Sequence, residues 1–260
     1  LNMLLGEGWQ VKPAGGATGE AYIAEQGEQK LFLKRNSSPF LAVLSAEGIV
    51  PKLLWTKRLE NGDVITAQRW IHGRELKAFE MKEGHVAQLL AKIHHSVELL
   101  DMFKRIGNEP LTPKIIIEDL QNSLKRNLFE EEDTVVERAM QYLEAYCDQV
   151  SQEHYVVCHC DINHNNWIIS KNGDLYLIDW DGATVADPAL DIGLLLYSYI
   201  PESEWEKWLS NYGLEMNENL RLRMHWYVVS QTISVMLWHI EREQTEEVNT
   251  WRDYLHSLIL

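Results

Sequence analysis

His159-Cys160-Asp161-Ile162-Asn163-His164-Asn165-Asn166 is followed, eighteen residues after Asp161, by Ile178-Asp179-Trp180-Asp181. Between the two, Trp167–Ser170, a turn at Lys171-Asn172-Gly173-Asp174 and Leu175–Ile178 read as a β-hairpin. The polar groups therefore fall at the ends of apolar strands. Phosphoryl transfer asks a protein for little covalent chemistry. It needs a carboxylate to orient a hydroxyl nucleophile and oxygen ligands to hold Mg²⁺ against the phosphates of ATP. Asp161, Asn166 and Asp179 supply that set. Hairpin turns also carry Asp and Asn for purely local reasons, but the apolar strands on both sides of this loop weigh against that reading.

Upstream of the loop, Trp9–Val11, Ala21–Glu25, Lys30–Arg35, Leu53–Arg58 and Val64–Trp70 have the alternation or β-rich composition of strands. Gln26-Gly27-Glu28 and Asn61-Gly62 mark turns between them, and a short helix is expected around Phe40 to Glu47. Gly15, Gly16, Thr18 and Gly19 sit in a turn between the first two strands, where glycines let backbone N–H groups approach phosphates. Lys34 follows on the third strand. After Gly73 the texture turns helical: Val86, Leu89, Leu90, Ile93 and Val97 recur at helical spacing, as do Trp205, Trp208, Leu209 and Tyr212, then Trp226, Val229, Ile233, Leu237 and Ile240. Tyr155–Cys158 reads as the strand leading into the polar loop. The expectation is an α+β chain of two lobes forming one catalytic unit. Residues 1–67 would form an antiparallel sheet lobe for ATP, residues 68–73 a hinge, and residues 74–260 a helical lobe with the catalytic loop and substrate site.

Composition narrows the partners. The 260 residues are 45% apolar and 24% charged, which suits a folded globular chain. A formal charge of −15 with no basic stripe argues against nucleic acid. Leu1 to Trp9 lacks the basic region of a secretory signal. The uncharged run Met224 to Ile240 is short for a membrane span and is broken by Ser230, Gln231, Thr232 and Ser234. Three cysteines, Cys147, Cys158 and Cys160, make no even disulfide framework and point to a reducing, cytoplasmic setting. The spacing of Cys158, His159, Cys160 and His164 is wrong for structural zinc, and no oriented base can be placed beside a thiol nucleophile.

The pattern H-x-D-h-x-x-x-N, carried by His159, Asp161 and Asn166 and followed by h-D-W-D, resembles the aminoglycoside phosphotransferase and choline/ethanolamine kinase superfamily. The resemblance implies a bilobal, protein-kinase-like fold using ATP and Mg²⁺. It implies Asp161 as catalytic base and Asn166 and Asp179 as metal ligands, with Asp181 assisting. It also places Lys34 against the ATP phosphates, with Glu47 as the expected acidic partner on the short helix. The family usually has Gly where Cys160 stands, a departure that a small side chain is expected to accommodate. Gln68 to Arg74 resembles the kinase hinge, whose backbone near Trp70 and Ile71 would meet adenine; those two side chains read equally well as sheet core. His94 and His95 match a recurrent L-x-x-L-H stretch expected to pack under the catalytic loop, and Asp187 and Asp191 resemble a segment that caps the next helix and braces that loop.

The acceptor is expected to be a small molecule, because the apolar run Ile192 to Tyr199 follows Asp179 too closely for a peptide-docking segment. An aromatic cage for a choline-like cation and a polar grip on a sugar or nucleoside hydroxyl both remain open. Ser38-Pro39, Ile49 to Trp55 and the Glu204 to Leu209 helix are similar to a narrower group, the CcrZ- or YtmP-like cell-cycle regulator kinases of Gram-positive bacteria. That likeness implies ribose-like or deoxyribosyl acceptors and a link to cell-division and replication-initiation proteins. A kinase-fold scaffold acting by protein contact is the alternative from another class. Retention of Lys34, Asp161, Asn166 and Asp179 favours the enzyme, since a scaffold does not require all four.

Overall fold

The computed structural model describes residues 5–14, 20–37, 40–126 and 134–260. The glycine-rich turn of Gly15, Gly16, Thr18 and Gly19 lies outside the described residues, as does Ser38-Pro39. The chain gathers into two compact units, one of Leu1–Ala78, Val97–Met102 and Asn163–Gly182, the other of Phe79–Ser96, Phe103–Ile162 and Ala183–Leu260.

The first unit is built on a five-stranded antiparallel sheet. Its strands are β1 (Gln10–Pro13), β2 (Ala21–Gln26), β3 (Gln29–Arg35), β4 (Leu53–Arg58) and β5 (Val64–Arg69), in the order β1-β2-β3-β5-β4. Helix α1 (Leu41–Ala46) interrupts the run between β3 and β4. Both tight connections follow from turn chemistry. Gly27 and Gly62 have φ of 58° and 92°, where only glycine sits without strain, and Asn61 closes its turn by bonding Asp63. Alternation along β3 puts Leu33 into a fully buried core with Ala24, Ile65 and Ala67. The next residue, Lys34, must then face the other way.

A second, three-stranded sheet in the same unit contains β6 (Gly73–Glu75), β8 (Trp167–Ser170) and β9 (Leu175–Leu177), in the order β6-β8-β9. The hairpin expected from the sequence is β8 with β9. Strand β6 falls where helical texture was expected to begin. Its approach to β8 needs glycine, since a Cβ on Gly73 would lie 2.2 Å from the Ile169 carbonyl oxygen.

The second unit is helical. It contains α2 (Gly84–His94), α4 (Pro113–Arg126), α5 (Thr134–Val150), α6 (Ala189–Tyr199), α7 (Trp205–Tyr212), α8 (Glu218–Ile240) and α9 (Thr245–Ile259), and α3 (Val97–Arg105) begins in the first unit and ends in this one. Apolar periodicity becomes packing here. Trp208, Trp226, Tyr227 and Leu237 are buried, and the indole N–H of Trp226 donates to the Leu143 carbonyl at 3.0 Å. Helices α6 and α8 meet closely at Gly193, where a Cβ would lie 2.9 Å from the Met224 carbonyl oxygen. The strand expected at Tyr155–Cys158, leading into the polar loop, forms as β7 (Val156–Cys158) and pairs antiparallel with β10 (Thr184–Ala186), a three-residue strand too short to show a period in the sequence. No helix among the described residues is long and apolar enough to cross a membrane.

Candidate active site

In the first unit the polar side chains converge around Lys34. Its ammonium lies 2.8 Å from Asp181 Oδ2 and 3.4 Å from Asp179 Oδ1, and only 20% of the side chain is exposed against about half of each carboxylate. Partial burial pulls the lysine pKa down, but the hydrogen bond and charge of Asp181, then those of Asp179, outweigh it and the net shift is upward. Lys34 is therefore a fixed cation at neutral pH. Its acidic partners are Asp179 and Asp181 rather than Glu47, which caps the C-terminal end of α1.

The backbone explains how Asp179 is aimed. Trp180 is buried and its indole N–H donates to the Leu177 carbonyl at 2.8 Å, pinning the chain one residue beyond. Asp179 between them takes φ of 65°, a left-handed conformation uncommon for aspartate, and its carboxylate stands half exposed instead of following the strand inward. Asn166 ends a short 3₁₀ turn, His164–Asn166, and its carbonyl accepts the Ile178 N–H at 2.8 Å. The residue before Asp179 and the loop residue Asn166 are thus tied through the main chain. Two aspartate carboxylates with one ammonium leave a net negative, all-oxygen donor set, which suits a hard divalent cation such as Mg²⁺. Trp70 and Ile71 are half-buried just beyond β5, and the Lys30 ammonium sits 3.9 Å from the Trp70 ring centroid.

The second unit shows how the segment bearing Asp161 is held. Asp191, in the first turn of α6, is fully buried. Its Oδ2 accepts the His159 N–H at 2.7 Å and its Oδ1 the Cys160 N–H at 2.9 Å. The same Oδ2 lies 3.1 Å from His94 Nε2, and His94 Nδ1 lies 2.7 Å from the Tyr212 hydroxyl. Burial pushes the Tyr212 phenol far up, so it stays a neutral hydroxyl able to hydrogen-bond the imidazole. The chain Tyr212–His94–Asp191 therefore ends on the two backbone amides preceding Asp161. The Asp161 N–H itself donates to His159 Nδ1 at 3.3 Å. Asp187 accepts the Ala189 N–H at 2.8 Å as a cap for α6 and pairs with Arg223. His95 is exposed and bonds back to its own helix at the Ala91 carbonyl.

Cys160 has φ of 65°. A glycine preference at this position thus has a backbone cause, which reasoning about side-chain size missed. Burial pushes the Cys158 and Cys160 thiols well above their ordinary range, against any role as thiolate nucleophiles. His94, Cys158 and Asp191 bring possible ligand atoms within 4.8 Å of one another. Every one of these atoms is engaged, the Cys158 thiol with the Asp187 carbonyl at 3.4 Å, so the cluster is a hydrogen-bonded brace.

The whole chain resembles solved kinases. Against choline kinase LicA from Streptococcus pneumoniae the identity is 19%, over 96% of this chain and 92% of that one, with a TM-score of 0.69. A choline/ethanolamine kinase family protein from Mesorhizobium loti matches at 18% over 100% of this chain and 90% of that one, with a TM-score of 0.68. The GDP complex of aminoglycoside 2'-phosphotransferase-IIIa matches at 14% over 96% and 92%, with a TM-score of 0.72. At such identities the likeness establishes the fold, an α+β protein-kinase-like architecture with an N-terminal antiparallel sheet and a C-terminal helical region. A sequence model described as "Phosphotransferase enzyme family" matches residues 10–227, and over that span the chain belongs to this family.

Proposed function

We propose that this protein transfers the γ-phosphate of ATP to a hydroxyl of a small polar molecule of the sugar or nucleoside type. The observation that carries the reading is Lys34 held between Asp179 and Asp181, since a buried-side ammonium with exposed carboxylates is the equipment for gripping phosphates and a metal together. Mg²⁺, when bound, neutralises charge on the phosphate oxygens; Asn166, Asp179 and Asp181 would hold it. Lys34 would position the nucleotide phosphates, and backbone groups near Trp70 and Ile71 would meet adenine. Asp161 orients the acceptor hydroxyl and takes its proton as the new O–P bond forms and the bond to the ADP oxygen breaks.

Several rings favour a polyol over a choline-like cation. Trp205, Trp208, Tyr212 and Trp226 are buried as packing between helices, and the exposed Trp238 ring already has the Arg242 guanidinium 3.8 Å from its centroid. The three free thiols favour the cytoplasm. A link to division or replication-initiation proteins is supported by the sequence likeness to cell-cycle regulator kinases. The site assignment is tested by calorimetric binding of Mg²⁺-ATP. Asp179→Ala should weaken binding at least about tenfold, one charge-assisted contact being worth about 1.5–3 kcal/mol, while Asp161→Ala should leave it near wild type. Equal affinity in wild type and Asp179→Ala would remove Asp179 from the metal site.

A further inference from the structure

Strand pairing between β7 and β10 ends at Cys158, which faces Thr184. The next two amides, those of His159 and Cys160, lie beyond the ladder, and the Asp191 carboxylate accepts both, at 2.7 and 2.9 Å. Asp161 follows at once, its own N–H directed at His159 Nδ1. The main chain that leads into Asp161 is therefore held by one side chain, and where that side chain sits decides where Asp161 stands. Asp191 is fully buried, and a carboxylate without water keeps its place only while its oxygens are matched. Besides the two amides it meets His94, whose Nε2 lies 3.1 Å from Oδ2.

His94 is buried as deeply, with 1% of its side chain exposed. Its other ring nitrogen, Nδ1, lies 2.7 Å from the hydroxyl of Tyr212, a residue 118 positions away on α7. The end of α7 that carries Tyr212 is fixed in three ways. The Leu209 carbonyl accepts the N–H groups of Gly213 and Leu214 at 2.9 and 3.0 Å, closing the helix just after Tyr212. Trp208 stacks on the Tyr212 ring, with 6.0 Å between centroids and 19° between planes. The Trp208 indole N–H donates to the Met81 carbonyl at 3.2 Å, which ties α7 to the chain just ahead of α2. Without the hydroxyl, Nδ1 is a buried polar atom lacking its partner, and an imidazole that turns to find another lets go of Asp191.

We infer that Tyr212 is a positioning residue for the phosphoryl transfer: its hydroxyl, acting through His94 and Asp191, fixes the main chain that presents Asp161. The inference rests on the reading of Asp161 as the group that orients the acceptor hydroxyl, and adds to it a residue from another helix. Misplacing a reacting group by an ångström costs about a hundredfold in rate, so a hydroxyl two side chains removed has leverage on turnover. Lys34, Asn166, Asp179 and Asp181 belong to the first unit and lie outside this chain of contacts. Nucleotide affinity should therefore not follow the loss of the hydroxyl.

Amide hydrogen exchange, followed residue by residue by NMR, tests the hold on the loop with no substrate present. Tyr212→Phe removes the hydroxyl and keeps the ring. Tyr227→Phe is the control: Tyr227 is another buried phenol of the same unit, and its hydroxyl has no hydrogen-bond partner among the described residues. The expected result is exchange at His159 and Cys160 at least about tenfold faster in Tyr212→Phe, with the amides of α8 within about twofold of wild type and Tyr227→Phe like wild type throughout. Unchanged protection at His159 and Cys160, an equal rise across α8, or the same rise in Tyr227→Phe would overturn the inference. In ATP consumption with Mg²⁺ and ribose, deoxyribose or a nucleoside, Tyr212→Phe should lower kcat at least about tenfold and leave KM for Mg²⁺-ATP within about twofold. A loosened loop with undiminished kcat would also overturn it. Faster exchange at His159 and Cys160 with no turnover even in the wild type would sink the kinase reading and leave the hold on the loop standing.

Discussion

Asp191 and Cys160 show how much of the site is decided by single residues. One fully buried carboxylate receives two consecutive amides and a histidine, and the second of those amides belongs to Cys160, whose φ of 65° turns the chain toward Asp161. A non-glycine residue in the left-handed region costs about 1–2 kcal/mol, partly offset by the entropy glycine loses on folding. Cys160→Gly should therefore raise stability by about 0.5–1 kcal/mol in urea denaturation; a lowered midpoint would show that the thiol packs better than its backbone strains. The spacing of Asp161, Asn166 and Asp179 was legible in the sequence because it is a local pattern around one hairpin. The partner of Lys34 was not. Glu47 is near it in sequence, whereas Asp179 and Asp181 arrive from 145 and 147 residues away, a pairing set by tertiary folding.

At the scale of elements, the strands with a visible period and legible turns were readable: all five of the first sheet fall within a few residues of their expected places. The three-residue strands β6 and β10 were not, since neither has a period of its own and each exists only through its partner, whereas the equally short β7 and β9 were marked by their apolar residues beside the polar loop and the hairpin turn. Helix α6 shows a different limit. It is apolar nearly all round, which announces burial but not the neighbour, and the neighbour is what makes Gly193 necessary. A methyl there would sit 2.9 Å from the Met224 carbonyl, so α6 and α8 must separate. Gly193→Ala should cost about 1–3 kcal/mol, the usual range for overpacking a close contact. An unchanged urea midpoint would mean that the helices slide apart freely.

Across the whole molecule, pH acts through a histidine that no functional motif contains. His225 donates from Nε2 to the Leu258 carbonyl at 2.9 Å and lies with Nδ1 3.0 Å from the Tyr142 hydroxyl, whose phenol burial pushes up to about 12. Burial lowers the His225 pKa below its ordinary 6.5, the Leu258 contact opposing in part. The unfolded chain therefore takes up this proton first as pH falls. The contribution of His225 is fully present above about 6.5 and is lost as pH drops through its folded value. Melting temperature should fall between pH 7.5 and 5, and His225→Phe, though less stable at neutral pH, should show a shallower fall; an identical slope would assign the acid sensitivity elsewhere.

Fold and family were within reach of the sequence because the motif that resembles the family is confined to one loop and one hairpin. The acceptor was not, since hydroxyl-bearing molecules are chosen by surfaces assembled from many segments. The central claim is tested most directly by ATP consumption with Mg²⁺ against ribose, deoxyribose, nucleosides, choline and ethanolamine, comparing wild type with Asp161→Ala. The account predicts turnover stimulated by a sugar or nucleoside and reduced at least about a hundredfold in the variant, as expected when a positioned base is removed. Undiminished turnover in Asp161→Ala would contradict it.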